Sequence, residues 1–248
     1  MEKHQHPHLG PKKFKEYFFE GLMIFFAVSV GFIAENIREE MSMREKEDGL
    51  IESFVLNLKT DTASLRSNIE RNLRKNQILD SLLLLANEDL TQPNNQYNFY
   101  NYFIKGAYMS LFIPSDAAMT QIKTDGGLSV ISKKGVLDSI LKYDNQNKII
   151  ERHNGVYTEE SENLWRSAFK IMEIRVLKDT SYIDFFNGRV MKNKMPPPVV
   201  NNPDEKRIFF GTLTRVLLLT QVNRNHMAVQ LEEAKRLIKY LETNYHFK

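Results

Sequence analysis

Apolar and polar positions divide the chain sharply near its start. Tyr17 to Ala34 are eighteen residues in which Glu20 is the only charge. At 1.5 Å per residue that stretch makes about 27 Å of helix, close to the ~30 Å hydrocarbon thickness of a bilayer. From Gly21 to Ala34 only Ser29 interrupts the apolar run. The segment therefore lacks the polar stripe of a buried soluble helix and the strong moment of an interfacial one. A secretory signal would need small residues before its cleavage point, where "GFIA" places Phe32. The pattern predicts a tail over 1–15, a transmembrane helix over 16–35 and a helical domain over 36–248.

Beyond the span, "ENIREEMSMREKEDG" is densely charged and continues the helix into water. From Leu50 the period becomes heptad-like. Ile51, Val55, Leu58, Thr62, Leu65, Ile69, Leu79 and Leu83 recur at alternating spacings of three and four, with Asn72 and Asn76 interrupting the seam. This helix should end near Asn87, ahead of the loop signal "TQPNNQ". "YNFYNYFIKGAYMSLF" (97–112) reads as a short aromatic helix, and Pro114 and Ser115 open another through about Lys123. "TDGG" is a turn, and Ser132 is placed to cap a third long helix from near Lys133 to Lys178, bent at Asn154-Gly155.

The run from Asp179 to Asp204 is irregular, since Pro196 to Pro198 exclude helix. A last long helix follows. Its seam is Phe210, Leu213, Leu217, Thr220, Met227, Leu231, Ala234, Ile238, Leu241 and Tyr245, with Arg224 the odd member. "IFFGTLTRVLLLTQV" (208–222) is too short for a second span and carries Arg215 at its centre, so it reads as helix core. The expectation is an all-α chain: one N-terminal transmembrane helix followed by an elongated antiparallel helical bundle.

Charge and composition narrow the functions. With 34 basic and 31 acidic residues interspersed, the net charge of +3 offers no basic face for nucleic acid. There is no cysteine, which removes disulfides, thiolate metal sites and thiol nucleophiles. No phosphate-binding Gly loop, HExxH, GxSxG or dinucleotide fingerprint occurs, so no enzyme, cofactor or metal is expected. His4, His6 and His8 alternate in the tail and read as solvated; His153 and His226 read as isolated seam residues. Glu159, Glu160 and Glu162 read as a solvated face, and Trp165 as a bundle anchor.

Two constellations stand out. Ala27, Gly31 and Ala34 fall within about 40° of Glu20 around a 3.6-residue helix, and Ala27 and Gly31 form a small-xxx-small pair. That face suits a partner helix, either a second copy or another membrane subunit; the alternative is that Glu20 snorkels toward Lys13 and Lys15. Asn72, Asn76 and Arg224 make a candidate buried polar layer that fixes helix register, or else line a small ligand site.

The lysines at 3, 12, 13 and 15 outnumber the cations that follow the span closely, which favours a cytoplasmic N-terminus. Glu20, the run to Ala34, "ENIREE" and "GLIESFVLNLKTDTASLRSNIE" together resemble an uncharacterised family of single-span bacterial membrane proteins, commonest in the Bacteroidota. The segment "SDAAMTQIKTDGGLSVISKKGVLDSILKYDNQ" (115–146) is similar to that family's Gly turn and following helix. The likeness covers about two thirds of the chain and weakens after about residue 180. The family typically has a Trp in the exit segment, where this chain has Ile37 nearby. The resemblance implies an inner-membrane anchor with a periplasmic helical domain, and carries no activity, catalytic residue or ligand. The expected role is a non-enzymatic interaction scaffold or accessory subunit of an envelope complex, embedded in the lipid bilayer. The alternative is a sensory ligand-binding domain that signals through a partner span.

Overall fold

A computed structural model describes residues 14–124, 126–184, 189–190, 194–245 and 247. The histidines of the tail lie outside these residues. Helix α1 spans Phe14–Leu83, 70 residues without a break, and closes in a 3-10 turn over Leu84–Asn87. There follow α2 (Pro93–Gly106), α3 (Ala117–Thr124), α4 (Gly127–Val130), α5 (Lys134–Ala168) and α6 (Pro203–Asn244). Two-residue strands β1 (Ile183–Asp184) and β2 (Arg189–Val190) pair antiparallel between α5 and α6. The described residues are otherwise helix and connection. At 1.5 Å per residue, α1 is about 105 Å long. It is the one helix among the described residues long and apolar enough to cross a membrane. Stretch 208–222 lies inside α6 with Phe209, Phe210, Leu213, Val216 and Leu217 buried. Arg215 there points outward and pairs with Glu160.

The core forms along the second half of α1. Near the span, Ile51 and Leu58 pack with Val136 and Ile140 of α5 and with Leu237 and Leu241 of α6. Midway, Leu65, Ile150 and Met227 meet around Phe112. At the far end, Leu79 and Leu82 pack with Leu164 and with Phe209 and Leu213, around the aromatic cluster Phe99, Tyr100 and Phe103 of α2. Residue numbers thus rise together along α1 and α5 and fall along α6. Leu65 stands fourteen positions after Ile51, Ile150 fourteen after Val136, and Met227 fourteen before Leu241. That interval is two heptads, which keeps one face of each helix turned inward. Helices α1 and α5 therefore run the same way, with α6 opposite to both. A chain whose consecutive long helices are parallel must return between them. Residues 107–116 make that return.

Local chemistry explains where elements begin. Pro93 sits in the first turn of α2, where its missing N–H costs nothing and its fixed φ suits helix; the expected loop there is helix instead. Asn202 caps α6 by accepting from the N–H groups of Asp204 and Glu205, with Pro203 following. Gly126 adopts φ +71° ahead of α4, a left-handed turn that favours glycine. Ser132 does not cap α5. Lys133 holds that position without a side-chain bond, and the Ser132 hydroxyl donates to Glu47 instead. Helix α5 runs through Asn154-Gly155 and stops at Ala168, well short of Lys178. The expected aromatic helix stops at Gly106, and 107–112 is non-helical, because its carbonyls are taken by side chains of other helices.

Two glycines should respond oppositely to alanine. A Cβ on Gly106 would lie 2.5 Å from Leu79 Cδ2, and Leu79 is fully buried and confined. Gly106→Ala should destabilise the domain by about 1–3 kcal/mol through overpacking. Gly155, in mid-α5, has nothing within 4 Å of that position. Gly155→Ala should stabilise by about 0.5–1 kcal/mol. Urea unfolding of the two variants measures both signs.

Candidate functional site

The face predicted on the span lies in the N-terminal half of α1. Glu20, Ala27, Gly31 and Ala34 are all exposed, and a Cβ on Gly31 would meet nothing within 4 Å. The first burial on α1 comes at Glu47. Between span and domain, residues 35–46 form an exposed helical neck in which Arg38 pairs with Glu35 and Arg44 with Glu40. Ile37 and Met41 remain exposed there despite being apolar. Met41 follows Ala34 by seven positions, so it lies on the same face of α1.

The three residues of the predicted polar layer have separate settings. Asn72 is buried, and its amide donates to Asn68 O at 3.0 Å and Ser110 O at 3.1 Å. Asn76 borders a cleft beside Leu217 and Gln221 of α6, with a buried Oδ1 lacking a hydrogen-bond partner. Arg224 is half-buried, and among the described residues no hydrogen bond or ion pair joins it to either asparagine.

The polar interior has a different organising centre, the returning segment 107–116. Among the described residues, 108–115 make no backbone–backbone hydrogen bond. A buried backbone group must nevertheless find a partner. Side chains from α1 and α5 supply them. The Trp165 indole N–H donates to Ala107 O at 3.0 Å, Lys75 Nζ to Tyr108 O at 2.6 Å, and Asn154 to Phe112 O at 2.9 Å. Asp61 accepts from the Ser115 N–H at 2.8 Å, and the Ser110 hydroxyl donates to Asn68 Oδ1 at 2.7 Å. Tyr143 donates its hydroxyl to the other oxygen of Asp61 at 2.9 Å. Burial pushes the Asp61 carboxyl above its ordinary value, the two donors opposing it.

Lys75 is the unexpected member. Its side chain is 1% exposed, and no carboxylate among the described residues pairs with it. Nζ donates to Tyr108 O and to the Tyr157 hydroxyl, and lies 4.8 Å from the centroid of the Tyr157 ring. Burial pushes this ammonium from 10.5 down to about 7. Spacing did contain a signal: Lys75 falls three after Asn72 and four before Leu79, a seam position, whereas the seam was read through Asn76.

Other side chains also depart from expectation. Glu47 is buried and accepts from the Ser132 N–H at 3.1 Å, from the Ser132 hydroxyl and from the Tyr245 hydroxyl, joining three segments at the base of the domain. Glu160 is buried beneath Arg215, while Glu159 and Glu162 stay exposed. His153 and His226 are not isolated: their rings stack across α5 and α6 with centroids 4.4 Å apart. Burial, and then the neighbouring ring, holds His226 below the ordinary imidazole value. Among the described residues no group of three or more His, Asp or Glu is gathered to hold a metal ion. No family model, no curated protein and no solved structure matches this chain.

Lys75 gives the domain a pH-dependent stability. The unfolded chain keeps the lysine protonated up to about 10.5, and the folded domain releases the proton near 7. Across that window the unfolded state holds more protons, so stability rises with pH. Measured from pH 7 to 9, below tyrosine ionisation, the gain should be on the order of 1–3 kcal/mol. Lys75→Met should flatten that slope and raise stability at pH 6, because it removes an unpaired buried charge. Denaturant titrations of both proteins across the range make the comparison.

Proposed function

We propose that the protein is a single-pass anchor of a bacterial inner membrane, with its N-terminus cytoplasmic and its helical domain periplasmic. The domain, an elongated bundle in which α6 runs antiparallel to α1 and α5, acts as an interaction scaffold or accessory subunit of an envelope complex. The observation that carries this reading is the helix from Phe14 to Lys46, an apolar stretch and an exposed neck that continue without a break into the helix that holds the core. A helix leaving the bilayer with Ile37 and Met41 exposed presents apolar surface that a second helix would cover. The face through Ala27, Gly31, Ala34 and Met41 suits close approach of another helix, with Glu20 at its opposite end. The resemblance to single-span bacterial membrane proteins and the basic residues ahead of the span support the location. A second reading, a sensory domain signalling through the partner span, is favoured by a half-open cleft between α5 and α6.

Two measurements test the main reading. A periplasm-active reporter after Lys248 should be active and one before Phe14 inactive; the reverse pattern removes the orientation. In native membranes, Glu20→Gln and Gly31→Leu should each weaken crosslinking of the span to its partner by on the order of 1–2 kcal/mol, with insertion unchanged. Phe25→Leu, on another face, should be nearly silent. Wild-type crosslinking in both face variants would leave the span a plain anchor.

A further inference from the structure

His153 of α5 and His226 of α6 stack across the two helices, with ring centroids 4.4 Å apart and planes 31° from parallel. Both are half-buried. They lie between two ion pairs that join the same helices. On one side Lys142 meets Glu233 at 3.3 Å, and on the other Arg215 meets Glu160. Glu233 follows His226 by seven positions and Glu160 follows His153 by seven, each about 10 Å along its helix. That interval keeps the three contacts on one face of each helix.

The outer contacts match opposite charges, and the middle one has none to match. Arg152 and Arg224 adjoin the rings in sequence, and Lys75 of α1 reaches α5 one turn beyond His153, at Tyr157. Glu151 lies on another face of α5, beside Pro114 and Met119. Glu232 is paired with Lys235. From α1 and the returning segment, Leu65, Ile69 and Phe112 meet this level, and none is charged. A proton on one ring therefore finds no carboxylate to receive it, and a second sets like charges 4.4 Å apart. The unfolded chain takes up protons near 6.5, which His226 in the folded domain resists. Stability from this contact is complete above that range and is lost as pH falls through it.

We infer that the His153–His226 contact is an acid-operated release between α5 and α6. Neutral rings stack and hold the middle of the two helices together. Protonation drives them apart, while the flanking ion pairs keep their charges and hold the ends. The release reaches inward through Asn154, which donates to Phe112 O at 2.9 Å and accepts from Asn223 at 3.4 Å. Acid thus loosens the anchoring of the returning segment without dissolving the bundle. The device is independent of any membrane partner and of which side of the bilayer the domain occupies.

The test uses the full chain in lipid nanodiscs. With isotope-labelled histidine, NMR from about pH 7.5 to 4.5 should show the two rings titrating as a coupled pair, the second proton bound at least about tenfold more weakly than the first. Hydrogen exchange, corrected for the intrinsic effect of pH, should show protection across Ile150–Tyr157 and Val222–Gln230 falling about tenfold between about pH 7 and 5.5. Protection around Lys142 and Arg215 should hold. His226→Gln, a neutral polar side chain of similar size, should abolish the loss. His226→Glu, which offers His153 a carboxylate, should reverse it. Lys75→Met should leave the loss in place, which separates it from the buried lysine. Independent titration of the two rings, pH-insensitive protection in the wild type, or a wild-type response in either His226 variant would each overturn the inference. Disappearance of the response in Lys75→Met would do the same.

Discussion

A polypeptide that lays an extended segment against three helices must find partners for its main-chain polar groups. Among the described residues no sheet runs beside 107–116 and no helix includes them, so the partners come from side chains. This requirement accounts for polar residues at seam positions that a plain bundle would fill with leucine. Asn72, Lys75 and Asn154 each hold one carbonyl, and Asp61 holds one N–H. Loss of Asn72 or Asn154 leaves a desolvated carbonyl costing roughly 1–3 kcal/mol, whereas at Lys75 the same loss is offset by removal of an unpaired buried charge. The parallel course of α1 and α5 depends on that returning segment, and α6 then closes the core from the opposite direction.

The far end of the domain solves a different problem. Helix α2 brings Phe99, Tyr100 and Phe103 onto α1 at the close approach allowed by Gly106. Phe103 meets Trp165 edge-on with centroids 4.7 Å apart, and the same indole holds Ala107 O. One side chain therefore belongs both to the aromatic core and to the anchoring of the returning segment. At the near end, Glu47 does a comparable job with polar contacts, gathering Ser132 and Tyr245 onto α1.

The long periodic elements were legible in the sequence because period is a local property. The run from Tyr17 to Ala34, the seam from Ile51 and the seam of α6 all follow from spacing, and Asn202-Pro203 marks a start. The returning segment was not legible. "KGAYMSLF" continues the aromatic composition of α2, and only the presence of donors on distant helices makes it non-helical. Lys75, Glu47 and Glu160 were missed for a related reason: a charged side chain is read as solvated unless its partner is known, and each partner is at least 33 positions away. The meeting of His153 with His226 depends on the relative register of α5 and α6, which no single helix encodes. Asn72 is buried, and its hydrogen bond to Ser110 O depends on a residue 38 positions away that its own helix does not encode.

One consequence follows from α1 being a single unbroken rod. The residues of the apolar stretch and the residues that hold the core lie on one helix, so the azimuth of the domain about the helix axis is tied to the azimuth of that stretch. Each residue of α-helix contributes about 100° of turn and 1.5 Å of rise. A one-residue change in neck length would therefore swing the whole domain by more than a quarter turn while lifting it hardly at all. The neck between Glu35 and Lys46 acts as a compass needle more than as a spacer: its residue count sets which way the domain looks.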